Sequence, residues 1–274
     1  MPSILLSDHA LARRLERAEA SANTRFVEAR ARLVPDSGAQ WIEVAGAYAM
    51  FDGVNSPCTQ TFGLGLFQMP TAADMDRLES FFRERKAPVF HDVCPLADPA
   101  LLAMLSDRGY RPFELTSVMF LPLAERLAKA AVGEVPLQVR VVGENEGDLW
   151  SRTSAEGWRE TPEIAAMMLE FTRVAAATEG NVRFLVELQG QPIASGALAI
   201  HEGVAVFAGA STIPEWRRRG AQQALLESRF QYAAQIGCDL ATIGALPGST
   251  SQHNAERQGF RIAYTRMKWR LAST

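Results

Sequence analysis

Three consecutive arginines, Arg217–Arg219, stand directly before Gly220 and an amphipathic run that begins at Ala221. Apolar residues recur in that run at helical spacing until Gly237, which predicts a helix whose amino end follows the arginines. Cations are disfavoured at this end, because the first backbone N–H groups of a helix lack partners and carry partial positive charge. A bound anion reverses this balance, and a glycine lets the backbone approach it closely. The stretch therefore predicts a phosphate-binding helix start, with a solvated basic loop as the alternative.

The residues around this stretch predict an alternating α/β order in the second half of the chain. Three strand-like runs, joined only by the short turns QGQ and HEG, should form an antiparallel meander. Thr161 and Pro162 are typical of a helix start, and Ser249 with Gln252 has the spacing of a capping box. The predicted strands are 137–142, 184–188, 192–200, 204–212, 239–246 and 260–271, and the predicted helices begin near 143, 161, 221 and 249.

The first half of the chain contains a fainter copy of the same order. Gly65 precedes Pro70 as Gly209 precedes Pro214, and Gly109 later corresponds to Gly259. Such internal similarity indicates two related domains. We predict a first domain over 1–123, a linker over 124–136 and a second domain over 137–274. The predicted helices of the first copy are 7–34, 71–86 and 98–110, and the predicted strands are 41–46, 47–51, 59–66, 87–93 and 114–123.

The first copy differs from the second after its proline. No arginine follows Pro70 until Arg77, and two aspartates, Asp74 and Asp76, stand near the helix start. Acidic side chains favour the positive end of a helix by themselves and would repel a diphosphate. We therefore expect the first domain to be structural and each chain to bind one phosphate-bearing ligand.

Composition excludes several classes of protein. The formal net charge of −3 argues against nucleic-acid binding through bulk positive potential. No apolar run approaches the roughly 20 residues that a membrane span requires. Three scattered cysteines, Cys58, Cys94 and Cys238, match neither a disulfide framework nor a metal site and are expected to be buried or idle thiols in a reducing cytoplasm.

The segment from Leu137 to Leu271 resembles the GNAT superfamily of acyl-CoA-dependent N-acyltransferases. Two motifs carry the resemblance. The stretch from Pro214 to Gln222 is similar to the Q/R-x-x-G-x-G/A pyrophosphate motif, with Arg217 and Gly220 matching and Gln222 in place of the last small residue. The stretch SQHNAERQGF, 251–260, is similar to the later helix and Gly-Phe segment of the family.

The resemblance implies an α/β fold with a mixed α+β sheet, arranged here as tandem GNAT-like domains. It implies that the strand carrying Gly209 bulges and parts from the next strand, where pantetheine would lie. Acetyl-CoA, or coenzyme A, is the implied cofactor, and no metal is expected. The implied cofactor-binding residues are Ser211, Thr212, Arg217, Arg218, Arg219, Gly220, Ala221, Gln222, Gln223 and Asn254.

The catalytic acid and base are not evident from the sequence. Val206 stands where some members carry a catalytic Glu, and Ala255 stands where many carry a general-acid Tyr. Tyr264 on the final strand is the remaining candidate for protonating the thiolate. Water-mediated removal of the amine proton, without a dedicated side chain, is an equal alternative.

The leading hypothesis is a cytoplasmic N-acetyltransferase that uses acetyl-CoA and a small-molecule or amino-acid-like amine as acceptor. The main rival is a non-catalytic regulatory protein that senses acyl-CoA. A protein acceptor, with the first domain as docking surface, is a third reading. No nucleic-acid or membrane partner is expected, and a homodimer is left open.

Overall fold

The computed structural model describes residues 7–127 and 137–272, over which helices and strands alternate. In chain order these are α1 (His9–Leu33), β1 (Gln40–Val44), β2 (Ala47–Phe51), β3 (Gln60–Phe62), α2 (Ala72–Arg83), β4 (Phe90–Val93), α3 (Ala100–Asp107), β5 (Tyr110–Pro122), α4 (Leu123–Leu127), β6 (Gln138–Val141), α5 (Gly147–Glu156), α6 (Pro162–Ala176), β7 (Asn181–Leu188), β8 (Gln191–His201), β9 (Val204–Thr212), α7 (Ala221–Gln235), β10 (Leu240–Ala245), α8 (Thr250–Arg257) and β11 (Arg261–Leu271).

Contacts within the chain define two compact units. Unit 1 comprises Met1–Phe120 and Thr242–Thr274, and unit 2 comprises Leu121–Ala241. Strand β10 is divided between them, with 242–245 in unit 1. The predicted linker at 124–136 begins in α4, and its residues 128–136 lie outside the described residues. The domain boundaries predicted from the repeat stay a prediction, since the units group residues by contact and not by sequence similarity.

Unit 2 contains the predicted meander. Strands β6, β7, β8 and β9 pair antiparallel in the spatial order β9-β8-β7-β6. Two-residue turns join β7 to β8 at Gln189-Gly190 and β8 to β9 at Glu202-Gly203, and all four residues have positive φ. Positive φ at both central residues is the geometry of a type I′ turn, whose twist matches that of the strands.

Helices cover both faces of the unit 2 sheet. Phe184 of β7 makes an edge-on ring contact with Tyr232 of α7, whereas the adjacent Leu185 packs with Trp150 of α5. Successive strand residues point to opposite faces, so α7 lies on one face and α5 on the other. Gly196 of β8 allows α7 to approach closely, because a Cβ there would lie 2.7 Å from Leu225 Cδ2.

Unit 1 has the strand order β1-β2-β3-β4-β11-β5-β10, in which β3 and β4 are parallel. Strand β2 shows how its core is divided. Met50 packs in a cluster with Val27 of α1, whereas Ala49 and Phe51 pack in a cluster with Met75 of α2. Helix α1 therefore covers one face of the sheet, and α2 and α3 cover the other.

The three cysteines are free and buried, as predicted. Burial raises the pKa of the Cys58, Cys94 and Cys238 thiols, so they remain protonated at neutral pH. Among the described residues no helix is long and apolar enough to cross a membrane.

Candidate functional site

Strand β9 contains a bulge at Gly209, in the position that the resemblance implies. Ser195 pairs with Ser211 and Ala197 with Ala208, so that Gly209 and Ala210 together face the single residue Gly196. Gly209 has φ +59°, a left-handed conformation that glycine adopts without steric cost. The bulge changes the direction of the strand just before it leads into the arginine-rich loop.

The loop from Pro214 to Gly220 ends in a helix start without an acidic residue. A 3-10 turn at Pro214–Trp216 is followed by Arg217 in extended conformation, Arg218 with φ +62° and Gly220 with φ +83°. The first turn of α7 has no carboxylate and Gly220 offers no side-chain cap. The N–H groups of the first helical residues therefore have no intrahelical acceptor, and residues 217–220 are exposed. This combination is an anion-binding geometry.

The corresponding start of α2 in unit 1 is closed by its own side chains. Thr71 Oγ1 accepts from the Asp74 backbone N at 3.2 Å, and Asp74 Oδ2 accepts from the Thr71 backbone N at 2.8 Å. The Thr71 backbone N–H, together with the Thr71 hydroxyl that donates to Asp74 Oδ2 at 2.7 Å, lowers the pKa of Asp74 and keeps it charged. A full capping box occupies the groups that an anion would otherwise use.

Arg217 is held by the protein itself. Its Nη1 donates to Glu160 Oε2 at 2.6 Å, its Nη2 to the Gly157 carbonyl at 2.9 Å and its Nε to the Thr212 carbonyl at 3.3 Å. Each part of the guanidinium thus has a partner, and the side chain ties the end of α5 to the end of β9. Its place in the site is that of a brace for the loop, a role that the motif alone does not indicate.

The neighbouring arginines lie at the exposed edge of the loop. The guanidinium of Arg219 lies over the Trp216 ring, 4.9 Å from its centroid, and Arg218 is exposed. Stacking on an aromatic face orients a guanidinium and leaves its N–H edge available for hydrogen bonds. Both guanidinium groups are thus accessible in the loop that precedes α7.

Ser211, Thr212 and Gln222 are connected by hydrogen bonds within unit 2. Gln222 Nε2 donates to Thr212 Oγ1 at 2.7 Å, so the residue that departs from the family pattern fastens α7 to β9. Ser211 Oγ donates to the Ser154 carbonyl at 2.9 Å and lies 3.2 Å from Ser195 Oγ. The strand end and the helix start are thereby fixed relative to each other.

Arg229 of α7 is a buried cation that lies outside the motifs found in the sequence. Only 2% of its surface is exposed, and Nη1 donates to the carbonyls of Ala197 and Ala208 at 3.1 and 3.4 Å. These carbonyls flank the bulge at Gly209, so Arg229 satisfies backbone groups where the strand ladder is interrupted. Desolvation lowers its pKa to about 9. The sequence contains one indication of this role: Arg229 stands four residues after Leu225 and therefore falls on the apolar face of α7.

Asn254 and Tyr264, the remaining predicted site residues, belong to unit 1. Asn254 is exposed on α8 and its Oδ1 accepts from Arg257 Nη1 at 3.1 Å. Tyr264 is buried on β11, with 6% of its surface exposed, and its hydroxyl donates to Glu16 Oε1 at 2.8 Å. Burial, followed by the Glu16 charge, raises the pKa of Tyr264 well above its ordinary value. The catalytic assignment of Tyr264 stays a prediction.

Glu16 gives unit 1 a stability that depends on pH. Burial, opposed by Arg266, raises the pKa of this carboxyl from 4.5 to about 7. Between these two pH values the folded state thus retains a proton that the unfolded state has released. The stability that this proton contributes is present below pH 4.5 and lost as pH rises to 7.

We expect Glu16→Gln to make the free energy of unfolding nearly independent of pH in this range, whereas Tyr264→Phe should retain the pH dependence. Urea titrations at pH 5 and pH 7.5 measure the difference, and parallel curves for wild type and Glu16→Gln would contradict it.

Comparison with solved structures identifies the fold. A GCN5-related N-acetyltransferase from Kribbella flavida superposes with a TM-score of 0.61 at 15% identity, covering 92% of this chain and 96% of its own. A tandem GNAT protein from the clavulanic acid biosynthesis pathway gives 0.58 at 12% identity, with coverages of 84% and 80%. A GCN5-related N-acetyltransferase from Sphaerobacter thermophilus gives 0.55 at 18% identity, with coverages of 82% and 76%.

These similarities confirm the predicted tandem GNAT fold. No protein-family model and no curated protein sequence matches the chain. Identities of this size establish the fold and leave function to the site. Within 7–127 and 137–272, no group of three or more His, Cys, Asp or Glu residues is placed to hold a metal ion.

Proposed function

We propose that this protein transfers an acetyl group from acetyl-CoA to the amine of a small molecule. The observation that carries the proposal is the start of α7. It follows a bulged strand in a GNAT fold, begins at a glycine with φ +83°, has no acidic residue in its first turn and is surrounded by arginines. N–H groups that lack a side-chain cap, with guanidinium groups beside them, fit a diphosphate.

The residues of this chain would bind and orient the reactants. Acetyl-CoA supplies the activated acetyl thioester. The amides from Arg219 to Gln223 would hold the diphosphate, with Arg218 and Arg219 outside it, and the backbone near the Gly209 bulge would hydrogen-bond to the pantetheine arm. Holding an amine next to a thioester replaces a bimolecular encounter and supplies a large part of the rate. A backbone N–H directed at the carbonyl would stabilise the charge that develops there.

Attack of the amine on the thioester carbonyl would form the amide bond and break the C–S bond, so that coenzyme A leaves as a thiolate. The proton of the acceptor amine would leave through water, and the thiolate would take up a proton from water. Val206 and Ala255, at the positions where many GNAT enzymes carry acid–base groups, are buried apolar residues with 9% and 3% exposure. Neither can accept a proton. A neutral amine selected from solution, or deprotonated through an ordered water, removes the need for a dedicated base.

We infer the class of acceptor from one of the solved structures that share the fold. The tandem GNAT protein that superposes on this chain is described as part of a pathway that makes a small molecule, clavulanic acid. A small amine as acceptor fits that comparison better than a protein substrate does. A thiol-release assay with acetyl-CoA over a panel of polyamines, amino acids, aminoglycosides and peptides tests both parts of the proposal. Turnover on a small amine supports it, whereas tight acetyl-CoA binding without turnover on any member supports the acyl-CoA-sensing alternative.

We expect each chain to bind one acetyl-CoA. The start of α7 is open to an anion, whereas Thr71 and Asp74 close the start of α2 and place a carboxylate there. Isothermal titration calorimetry of the full chain with acetyl-CoA measures the stoichiometry. Two comparable sites per chain would show that the first domain retains a cofactor site.

Arg217→Ala should weaken acetyl-CoA binding by about tenfold, since binding must then order a loop that the variant leaves free. The reason is the loss of the brace between Gly157 and Thr212, which leaves the loop free to move. Glu160→Gln distinguishes this from a direct contact with the cofactor. The Arg217–Glu160 pair is about half exposed and contributes little to stability. If Arg217 acts only as a brace, Glu160→Gln should therefore keep acetyl-CoA affinity within about twofold of wild type. A clear gain in affinity for Glu160→Gln would mean that the arginine turns to the cofactor when released.

A further inference from the structure

Unit 1 contains a cavity that the proposed reaction does not use. Its volume is about 530 Å³, within the range of roughly 300–1,000 Å³ that is usual for small-molecule sites. The loops after β3 and β4 form most of its wall, and His9 and Arg13 of α1 complete it. Because β3 and β4 are parallel, both loops leave the same edge of the sheet, where ligands bind in open α/β sheets.

The wall of this cavity is fixed by hydrogen bonds and packing. Asp98 N donates to the Gly65 carbonyl at 3.0 Å, and Arg13 Nε donates to the Leu66 carbonyl at 3.1 Å. Gly65 has φ +72°, and a Cβ there would lie 2.7 Å from Leu101 Cδ2. The two loops and α1 are thus tied together, which favours a preformed site.

Two opposite charges line the cavity without neutralising each other. Arg13 and Asp98 are both exposed to it. Asp98 Oδ1 accepts from Ala100 N at 2.9 Å, and the Nε of Arg13 is used by Leu66. In the part of the chain that the structure describes, neither residue forms an ion pair, with the other or with any other side chain. A guanidinium and a carboxylate that face one space are complementary to the two charges of a zwitterion.

The rest of the wall combines apolar and polar side chains. Leu66, Met69, Pro95 and Leu96 contribute apolar surface, and His9 and Gln68 contribute polar groups. We propose that this cavity binds a free α-amino acid with an apolar side chain. Arg13 would hold the carboxylate, Asp98 the ammonium group, and the apolar part of the wall the side chain. The site is separate from the acyl transfer site that we propose in unit 2.

Calorimetric titration of the full chain, without acetyl-CoA, tests this site. The probes are L-leucine, L-methionine and L-phenylalanine. Two analogues of leucine, 4-methylpentanoate and 3-methylbutylamine, each lack one of its charges. We expect saturable binding of at least one amino acid, and binding of the two analogues weaker than that of leucine by about tenfold or more, since each loses a charge-assisted contact.

Matched substitutions connect the binding to this cavity. Arg13→Gln removes the cation, and Asp98→Asn removes the anion but keeps an oxygen that can accept from Ala100 N. Each should weaken binding by about tenfold or more. Arg77→Gln and Asp107→Asn change the same charges on exposed positions of α2 and α3 outside the cavity wall, and should stay within about twofold of wild type. No saturable binding of any of the three amino acids at millimolar concentration, or full binding retained by either Arg13→Gln or Asp98→Asn, would overturn the proposal.

Discussion

Gly220→Glu is expected to abolish acetyl-CoA binding, with a loss of affinity of about hundredfold or more. Gly220 has φ +83°, which costs an L-residue roughly 1–2 kcal/mol. The added carboxylate would lie at the amino end of α7, where it satisfies the free N–H groups itself and repels the diphosphate. Like charges brought together in a binding site cost several kcal/mol. Calorimetric titration with acetyl-CoA measures the loss.

Gly237→Glu is a matched control at the opposite end of the same helix. Gly237 has φ +86°, is exposed, and has open space where a Cβ would be placed. The substitution introduces the same side chain, charge and backbone strain but lies far along α7 from the proposed site. It should cost more stability than Gly220→Glu, because a carboxylate is unfavourable at the carboxyl end of a helix, and leave acetyl-CoA affinity within about twofold.

The pair of variants separates strain from electrostatics. Equal loss of binding in both would show that strain in α7, and not the anion site, limits affinity. Unchanged binding in Gly220→Glu, with its circular dichroism spectrum intact, would contradict the proposal that α7 carries the diphosphate. Gly220→Ala, which adds strain without charge, should give an intermediate affinity.

Arg266→Met should destabilise unit 1 by about 3–5 kcal/mol, the usual cost of removing one partner from a buried ion pair. The Arg266 side chain is 2% exposed, and its Nη1 lies 3.4 Å from Glu16 Oε2 and 2.9 Å from Glu19 Oε2. Asp92 is buried nearby, and its Oδ1 has no hydrogen-bond partner in the described residues. Loss of the arginine leaves three acidic groups with little compensation. Urea denaturation at pH 7.5, followed by circular dichroism and fluorescence, measures the change.

The sign of the pH dependence of unfolding free energy in Arg266→Met identifies the cause of its lower stability. Arg266 lowers the pKa of Glu16, so its removal raises that pKa further. The variant should therefore regain stability as pH falls, because the folded state takes up protons that the unfolded state does not. Addition of Glu16→Gln to Arg266→Met should also restore part of the loss. Arg270→Met, an exposed arginine on the same strand, should cost little. A deficit that stays constant from pH 7.5 to pH 5 would indicate lost packing instead.

Local features of the fold were predictable because they depend on neighbouring residues. The short turns at 189–190 and 202–203 require glycine and specify antiparallel pairing. Ser249 is the N-cap of α8, as predicted, and its Oγ accepts from Gln252 N at 3.2 Å. The capping box is only half formed, however. Gln252 Oε1 accepts from Gly248 N at 3.0 Å instead of returning to Ser249, since its amide also reaches Glu256.

The site was predictable to the extent that backbone conformation determines it. A glycine was required at 209 for the bulge and at 220 for the helix start, and both adopt positive φ. The partners of the side chains were not predictable. Nothing in the motif indicates that Arg217 reaches Gly157 and Glu160, residues roughly sixty positions earlier in the chain. The motif identifies an arginine, and the fold selects its contacts.

By itself the sequence determined the order of helices and strands and the short turns between them, because these depend on hydrophobic period and turn chemistry. It also predicted an anion site at the start of α7, and its resemblance to a known family implied the bulge at Gly209. Only the tertiary structure placed Tyr264 against Glu16, residues from opposite ends of the chain, and brought Arg13 of α1 and Asp98 to the wall of one cavity. Burial and pairing between distant residues depend on how the elements pack, and a local pattern contains no information about a partner that lies far along the chain.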